Sequence, residues 1–270
     1  MQRVLELVTE VTTRYPKDTF FANFRRSLAT NRAKRSYYLT YERAFLCLDP
    51  LSWEALKVKS LAHFRHHRDG QHKQGFFSQL SDAFAYRYLV RRGFSDVHIL
   101  REDAKTRPDI AYQSKGKQQF CEVKTINIST SEIERRGSSK YQDRSCYQQL
   151  GTGFLGKLAS DFRVAQQQIE AQGTTGIIYI LVHFDDFTLG HYSRYRNQLS
   201  GFVRQCGYDE VYLKVGTQGH RHVYHKHAPS IGLARRKLAK PTWRRCAGRW
   251  DLSARDAPAQ ARRIEPVAGG

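Results

Sequence analysis

The chain has 270 residues, 40% of them hydrophobic, and 45 Lys and Arg against 25 Asp and Glu give a formal net charge of +20. This length fits one domain with appendages, and the apolar share is large enough for a buried core. So basic a balance favours a polyanionic partner, nucleic acid before an anionic membrane surface. No apolar run reaches the roughly 18 residues of a membrane span, and the first residues lack the apolar core of a signal peptide.

The five cysteines are scattered along the chain, and none belongs to a Cys-x-x-Cys pair. An odd number at such spacing argues against a disulfide framework and against a zinc ribbon. We therefore expect ordinary thiols, a reducing compartment and a cytoplasmic protein.

Residues 1–75 are predicted to form a basic, helical N-terminal region. Its cations, Lys57 and Lys59 among them, alternate with aromatic residues such as Phe21 and Trp53. Such interleaving suits phosphate contacts and base stacking, but more often it means buried aromatics beneath a solvated charged face, which is the favoured interpretation. A polar break that contains Gly70 and Gly75 predicts a boundary near residue 75.

The second region, 76–227, is predicted to be a mixed β-sheet flanked by helices, an α/β fold. Its first helix covers 76–92, where apolar residues recur at helical spacing, and ends at Gly93. The run 176–183 is continuously apolar, which is typical of a central strand covered on both faces. The other predicted elements are strands at 97–100, 109–112, 118–126 and 211–215 and helices at 155–171 and 192–206.

Three segments lie outside this regular pattern. The polar excursion 127–154 is too long for an idle loop and leaves the strand that ends near 126, which suits contact with substrate, and an insertion without a role in binding is the equal alternative. The segment 220–227 holds four histidines but lacks Cys or carboxylate partners, so a basic surface is favoured over a zinc site. The tail, 228–270, has lost periodicity and is predicted to be basic and disordered.

One motif carries most of the chemical information. Pro108-Asp109 begins one predicted strand, and Glu122-Val123-Lys124 lies in the next. Because successive strand side chains point to opposite faces, Glu122 and Lys124 share a face. Two carboxylates and an ammonium group suit a hard divalent cation and an activated water. The alternative is an edge hairpin with an exposed Glu–Lys pair.

These residues, with Asp82 on the preceding helix, resemble the PD-(D/E)XK nuclease superfamily, which has the restriction-endonuclease-like fold. The resemblance spans about 76–215 and departs from the family at Asp82, where a Glu is usual. It implies that Asp109, Glu122 and Asp82 bind Mg²⁺, with Mn²⁺ as an alternative, and that Asp82 acts directly or through a water. Lys124 would then act on the attacking water and the phosphate, as a fixed charge or as a proton acceptor. Related folds often use a polar residue at the position of Gln166, Gln167 or Gln168 to contact the site, but a solvated helix face is the favoured interpretation for these three.

The resemblance implies a metal-dependent hydrolase that cuts nucleic acid, DNA in preference to RNA, at internal positions. A homodimer would suit the cutting of both strands of a duplex. Two alternatives stay open: a nucleic-acid-binding module of the same fold that does not cut, and a basic scaffold or toxin-like effector with an acidic partner.

Overall fold

A computed structural model of the chain describes residues 1–67, 73–101, 107–127, 129, 132–134, 147–184, 191–208 and 210–217, and the backbone of Tyr224–His225. The predicted tail, the histidine-rich segment apart from that backbone, and the middle of the 127–154 excursion lie outside these residues. No helix in the described ranges is long and apolar enough to cross a membrane.

The order of elements along the chain agrees with the predicted α/β pattern. From residue 95 onward the predicted bounds differ from the observed ones by only a few residues. The elements are α1 (Gln2–Arg14), α2 (Phe24–Thr30), α3 (Arg32–Phe45), α4 (Pro50–Ala62), α5 (Gln74–Gln79), α6 (Asp82–Arg92), β1 (Ser95–Ile99), β2 (Ile110–Ser114), β3 (Lys117–Ile126), α7 (Thr152–Glu170), β4 (Gly176–Val182), α8 (Tyr192–Gln205), β5 (Val211–Val215) and β6 (Tyr224–His225).

The strands form one mixed sheet in the order β1-β2-β3-β4-β5-β6. β1, β2 and β3 pair antiparallel, β3, β4 and β5 pair parallel, and β6 pairs antiparallel with β5. The predicted mixed sheet flanked by helices is thereby confirmed. β3, which carries Glu122 and Lys124, lies inside the sheet between β2 and β4.

Apolar side chains cover both faces of this sheet. On one face the N-terminal helices and α6 share a cluster with Val123, Tyr179 and Leu181. On the other face α7 and α8 pack on Ile178 and Ile180. β4 is therefore buried on both sides, as its continuous apolar run predicts. The helices before residue 76 and the sheet share one continuous core.

The single helix predicted for 76–92 is wrong, because the chain breaks between α5 and α6. At Ser81 and Ala83 the backbone N–H groups donate to the carbonyl three residues earlier, which tightens the turn. Asp82 is consequently the first residue of α6. A carboxylate is favourable there because the free N–H groups of a helix start carry partial positive charge.

Gly176 permits the close approach of β4 to β3. A Cβ atom at this position would lie 2.0 Å from the carbonyl oxygen of Phe120 on β3. We expect Gly176→Ala to lower the free energy of unfolding by about 2–3 kcal/mol, because the strands must move apart. Denaturant unfolding measures this. Gly156→Ala, in open space on α7, is the matched control and should be neutral or slightly stabilising. Equal effects of both changes would contradict the steric argument.

Candidate active site

Glu122 and Lys124 meet on β3 as their alternation predicts. The Lys124 ammonium donates to Oε1 of Glu122 at 2.7 Å and to Oε1 of Gln168 on α7 at 2.9 Å. Glu122 is only 3% exposed. The pair thus lies between the sheet and α7, and the alternative of an exposed Glu–Lys pair on a solvated edge does not describe it.

Asp109 lies where β2 and β3 separate. Their pairing ends at Ile110 and Cys121, whereas β3 continues beside β4 as far as Ile126. The N–H of Val123 donates to Oδ2 of Asp109 at 2.8 Å. A side chain thus replaces the neighbouring strand as the partner of that N–H, and this bond orients the Asp109 carboxylate toward the middle of β3.

Asp82 is brought to the same place, but through a residue that the sequence interpretation did not assign to the site. The ammonium of Lys59, on α4, lies 2.9 Å from Oδ2 of Asp82 and also contacts Oδ1 of Asp109. Lys59 is 6% exposed and Asp82 is 2% exposed. Burial alone would lower the pKa of Lys59, but the two carboxylates outweigh it and raise that pKa well above its ordinary value.

The charged form of Glu122 is destabilised by its surroundings in this group. Burial, and then the negative charge of Asp109, raise the pKa of Glu122 to about 8, although Lys124 and Lys59 act in the opposite direction. Its Oε2 atom is buried and has no hydrogen-bond partner among the described residues. A buried carboxylate oxygen without a partner is costly, so this atom is suited to receive a cation or a donor from a ligand.

The carboxylates of this group can be compared with the ligands that a divalent cation requires. No three His, Cys, Asp or Glu side chains form a metal-binding group within the described ranges. A pair is nevertheless sufficient for Mg²⁺, which usually keeps several waters and takes one or two carboxylates. Asp109 and Glu122 provide such a pair, and the free Oε2 atom of Glu122 fits a ligand position. Asp82 is instead engaged by Lys59.

Of the three predicted glutamines, Gln168 is the one that reaches the site. Gln166 donates to Glu170 on the exposed side of α7, at 2.5 Å. The sequence did not distinguish among the three, because consecutive glutamines on a helix differ only in the direction in which their side chains point around the helix axis. The contact with Gln168 holds the Lys124 ammonium from the side opposite β3.

We expect Gln168→Met to lower the rate of any reaction at this site by about tenfold, because Lys124 loses one of its two acceptors. Steady-state kinetics should show the change in kcat, with substrate affinity little altered. Gln166→Met is the matched control on the same helix. An unchanged kcat for Gln168→Met would show that the contact does not position Lys124.

Several basic and aromatic side chains of the N-terminal region are buried, and not exposed as nucleic-acid binding would require. Phe21, Phe24 and Trp53 are buried in the core, where they cannot stack on bases. Lys57 is also buried and pairs with Glu6, Glu10 and Glu54. The interpretation as core aromatics is therefore confirmed for these side chains.

The described ends of the 127–154 excursion are fixed to each other and to α8. The Tyr147 hydroxyl donates to Oε1 of Glu132 at 2.9 Å, and the Tyr195 hydroxyl donates to the Tyr147 carbonyl at 2.8 Å. The N–H of Leu150 donates to Oε1 of Gln198 at 2.8 Å. The expected substrate contacts concern residues outside the described ranges and stay a prediction.

Comparisons of this chain with protein-family models, with curated proteins and with solved structures found no match in any of the three.

Proposed function

We propose that the chain is a metal-dependent nuclease of the restriction-endonuclease-like fold, which hydrolyses internal phosphodiester bonds of DNA in preference to RNA. The observation that carries the proposal is the pairing of buried Glu122 with partly exposed Lys124 beside Asp109, with Oε2 of Glu122 lacking a partner among the described residues. Burying the Glu122 carboxylate is expensive, and a ligand that completes its interactions offsets the cost.

In this proposal Asp109 and Glu122 hold one divalent cation, Mg²⁺ or Mn²⁺. When bound, the cation supplies Lewis acidity and neutralises charge on the scissile phosphate. Lys124 donates a hydrogen bond to the attacking water or to a phosphate oxygen, while Gln168 keeps its ammonium in place. The water oxygen bonds to phosphorus and gives up a proton to bulk water, the bond from phosphorus to one sugar oxygen breaks, and that oxygen takes up a proton from bulk water.

The preference for a polyanion is supported by a group of like charges along α6 and β5. The Lys214 ammonium lies 5.0 Å from the centroid of the Phe84 ring, two residues after Asp82 on α6. Burial, and then Arg87 and Arg91, lower the pKa of Lys214 to about 8. Cations that repel one another in this way create a positive potential that attracts phosphates.

Plasmid cleavage is the direct test of this proposal. Full-length protein is incubated with supercoiled DNA and Mg²⁺, with EDTA in a parallel reaction, and we expect nicked or linear product only with Mg²⁺. End-labelled duplex DNA, single-stranded DNA and RNA then separate internal from terminal cutting and DNA from RNA. Asp109→Asn, purified identically, excludes a contaminating nuclease, since equal cutting by both proteins would contradict the assignment.

One observation favours the alternative of a binding module that does not cut. The Lys59 ammonium already pairs with both Asp82 and Asp109, as a metal ion would in an enzyme of this type. In that case the protein would bind DNA with a steep salt dependence and leave it intact with Mg²⁺ and with Mn²⁺. Binding without cleavage in the plasmid assay identifies this alternative.

A further inference from the structure

We propose that Lys59 is an internal cation of the active centre, which replaces a second metal ion and limits the site to a single divalent cation. The inference rests on the proposed function, because it concerns the same carboxylates. It assigns a positioning role to a side chain of the N-terminal helical region, which the motif does not include.

The contacts of Lys59 are those of a bridging cation. Its ammonium joins Asp82, at the start of α6, to Asp109, just before β2. Two carboxylates on separate elements share this one positive centre, as they would share a metal ion in a two-metal site. Lys59 reaches this centre from inside the core, where exchange with a solvent ion requires displacing the whole side chain.

Charge balance leads to the same conclusion. With Glu122 ionised, the carboxylates of Asp82, Asp109 and Glu122 face two ammonium groups, those of Lys59 and Lys124. The remaining net charge of minus one attracts one divalent cation and repels a second. The Oε2 atom of Glu122, which lacks a partner among the described residues, offers that cation a ligand position.

Lys59 also fixes the orientation of Asp109. One oxygen of this carboxylate contacts Lys59 and the other accepts the N–H of Val123. Each carboxylate oxygen can accept more than one bond, so Asp109 keeps capacity for a metal ion while its plane is held. Lys59 thus acts on the reaction indirectly, by orienting Asp109.

Metal binding measured directly tests the inference without relying on cleavage. Isothermal titration with Mn²⁺ is expected to give a single ion for the full-length wild type and for Lys59→Arg, which keeps the charge. Lys59→Met is expected to bind a second ion, or to bind the first at least about tenfold more tightly, because a positive charge beside the carboxylates is gone. Lys117→Met, at an exposed lysine at the start of β3, should keep the wild-type stoichiometry and affinity.

Two further measurements keep the test decisive if Lys59→Met is only marginally folded without metal. Its melting temperature should rise on addition of Mn²⁺ by more than that of the wild type or Lys117→Met, because the ion restores the missing positive charge. Lys59→Met combined with Asp82→Asn removes one charge of each sign. It should return to a single ion with affinity within about threefold of the wild type.

The outcomes separate failure of this inference from failure of the proposed function. If the wild type binds one Mn²⁺ and Lys59→Met binds it identically, in both stoichiometry and affinity, Lys59 has no such role while the nuclease proposal stands. If neither the wild type nor Lys59→Met binds Mn²⁺ and no cleavage occurs, the metal-dependent function is overturned, and this inference with it.

Discussion

Replacing Lys124 by alanine is expected to lower the rate of Mg²⁺-dependent DNA cleavage by about 10³-fold or more, while DNA binding and the fold are retained. The magnitude is that of removing a group that contacts the reacting atoms in a preorganised site. Lys124 contacts Glu122 and Gln168 and is partly open to solvent, with 22% of its side chain exposed. It is therefore positioned both to be held and to meet a ligand.

Single-turnover cleavage of a labelled duplex, beside a filter-binding or anisotropy assay, measures the two quantities separately. Lys117→Ala is the matched control, since Lys117 is an exposed lysine at the start of the same strand. We expect that control to cleave at the wild-type rate. Undiminished cutting by Lys124→Ala, with circular dichroism showing a folded protein, would remove Lys124 from the mechanism.

The contribution of Glu122 to the stability of the metal-free protein is expected to fall as the pH rises from about 4.5 to about 8. A glutamate carboxyl ordinarily has a pKa of 4.5, and burial beside Asp109 raises the pKa of Glu122 to about 8 in the folded protein. The folded state thus binds this proton more tightly than the unfolded state does across that window. The stabilisation that this proton provides is fully present below pH 4.5 and is lost as the pH passes 8. The loss lowers the free energy of unfolding by about 2–4 kcal/mol.

Denaturant unfolding at several pH values, in EDTA, measures this dependence. Glu122→Gln removes the titrating carboxyl and should flatten the profile, whereas Glu134→Gln, an exposed position, should leave it unchanged. Adding Mg²⁺ at about pH 8 should restabilise the wild type but not Glu122→Gln, since a bound cation compensates the charge. Parallel profiles for the wild type and Glu122→Gln would contradict the assignment of a perturbed carboxyl.

Local periodicity made much of the fold and part of the site predictable from the sequence. The alternation along Glu122-Val123-Lys124 is a property of a strand by itself, so the contact between Glu122 and Lys124 follows without knowledge of the rest. The continuous apolar run of β4 likewise indicates a central strand. Where the periodic signal continued through a break, as from Phe76 to Arg92, the sequence predicted one helix instead of two.

Lys59 was missed because its partners are remote in the chain, 23 positions away at Asp82 and 50 at Asp109. The sequence interpretation placed it only among the basic residues of a solvated or phosphate-binding face. One signal was available: Lys59 lies on α4 among the buried residues Leu56, Ser60 and Leu61. A lysine among buried neighbours predicts a buried acidic partner, but it does not say which one.

The contact of Lys59, on α4, with the two aspartates limits which truncated or chimeric chains can keep the site intact. A chain that keeps the sheet with α6 and α7 but begins at residue 76 would retain every residue of the nuclease-like motif. It would nevertheless leave Asp82 and Asp109 facing each other without their ammonium. A chimera that joins this sheet to a different helical region must therefore supply a cation at the position of Lys59, or else change Asp82 at the same time.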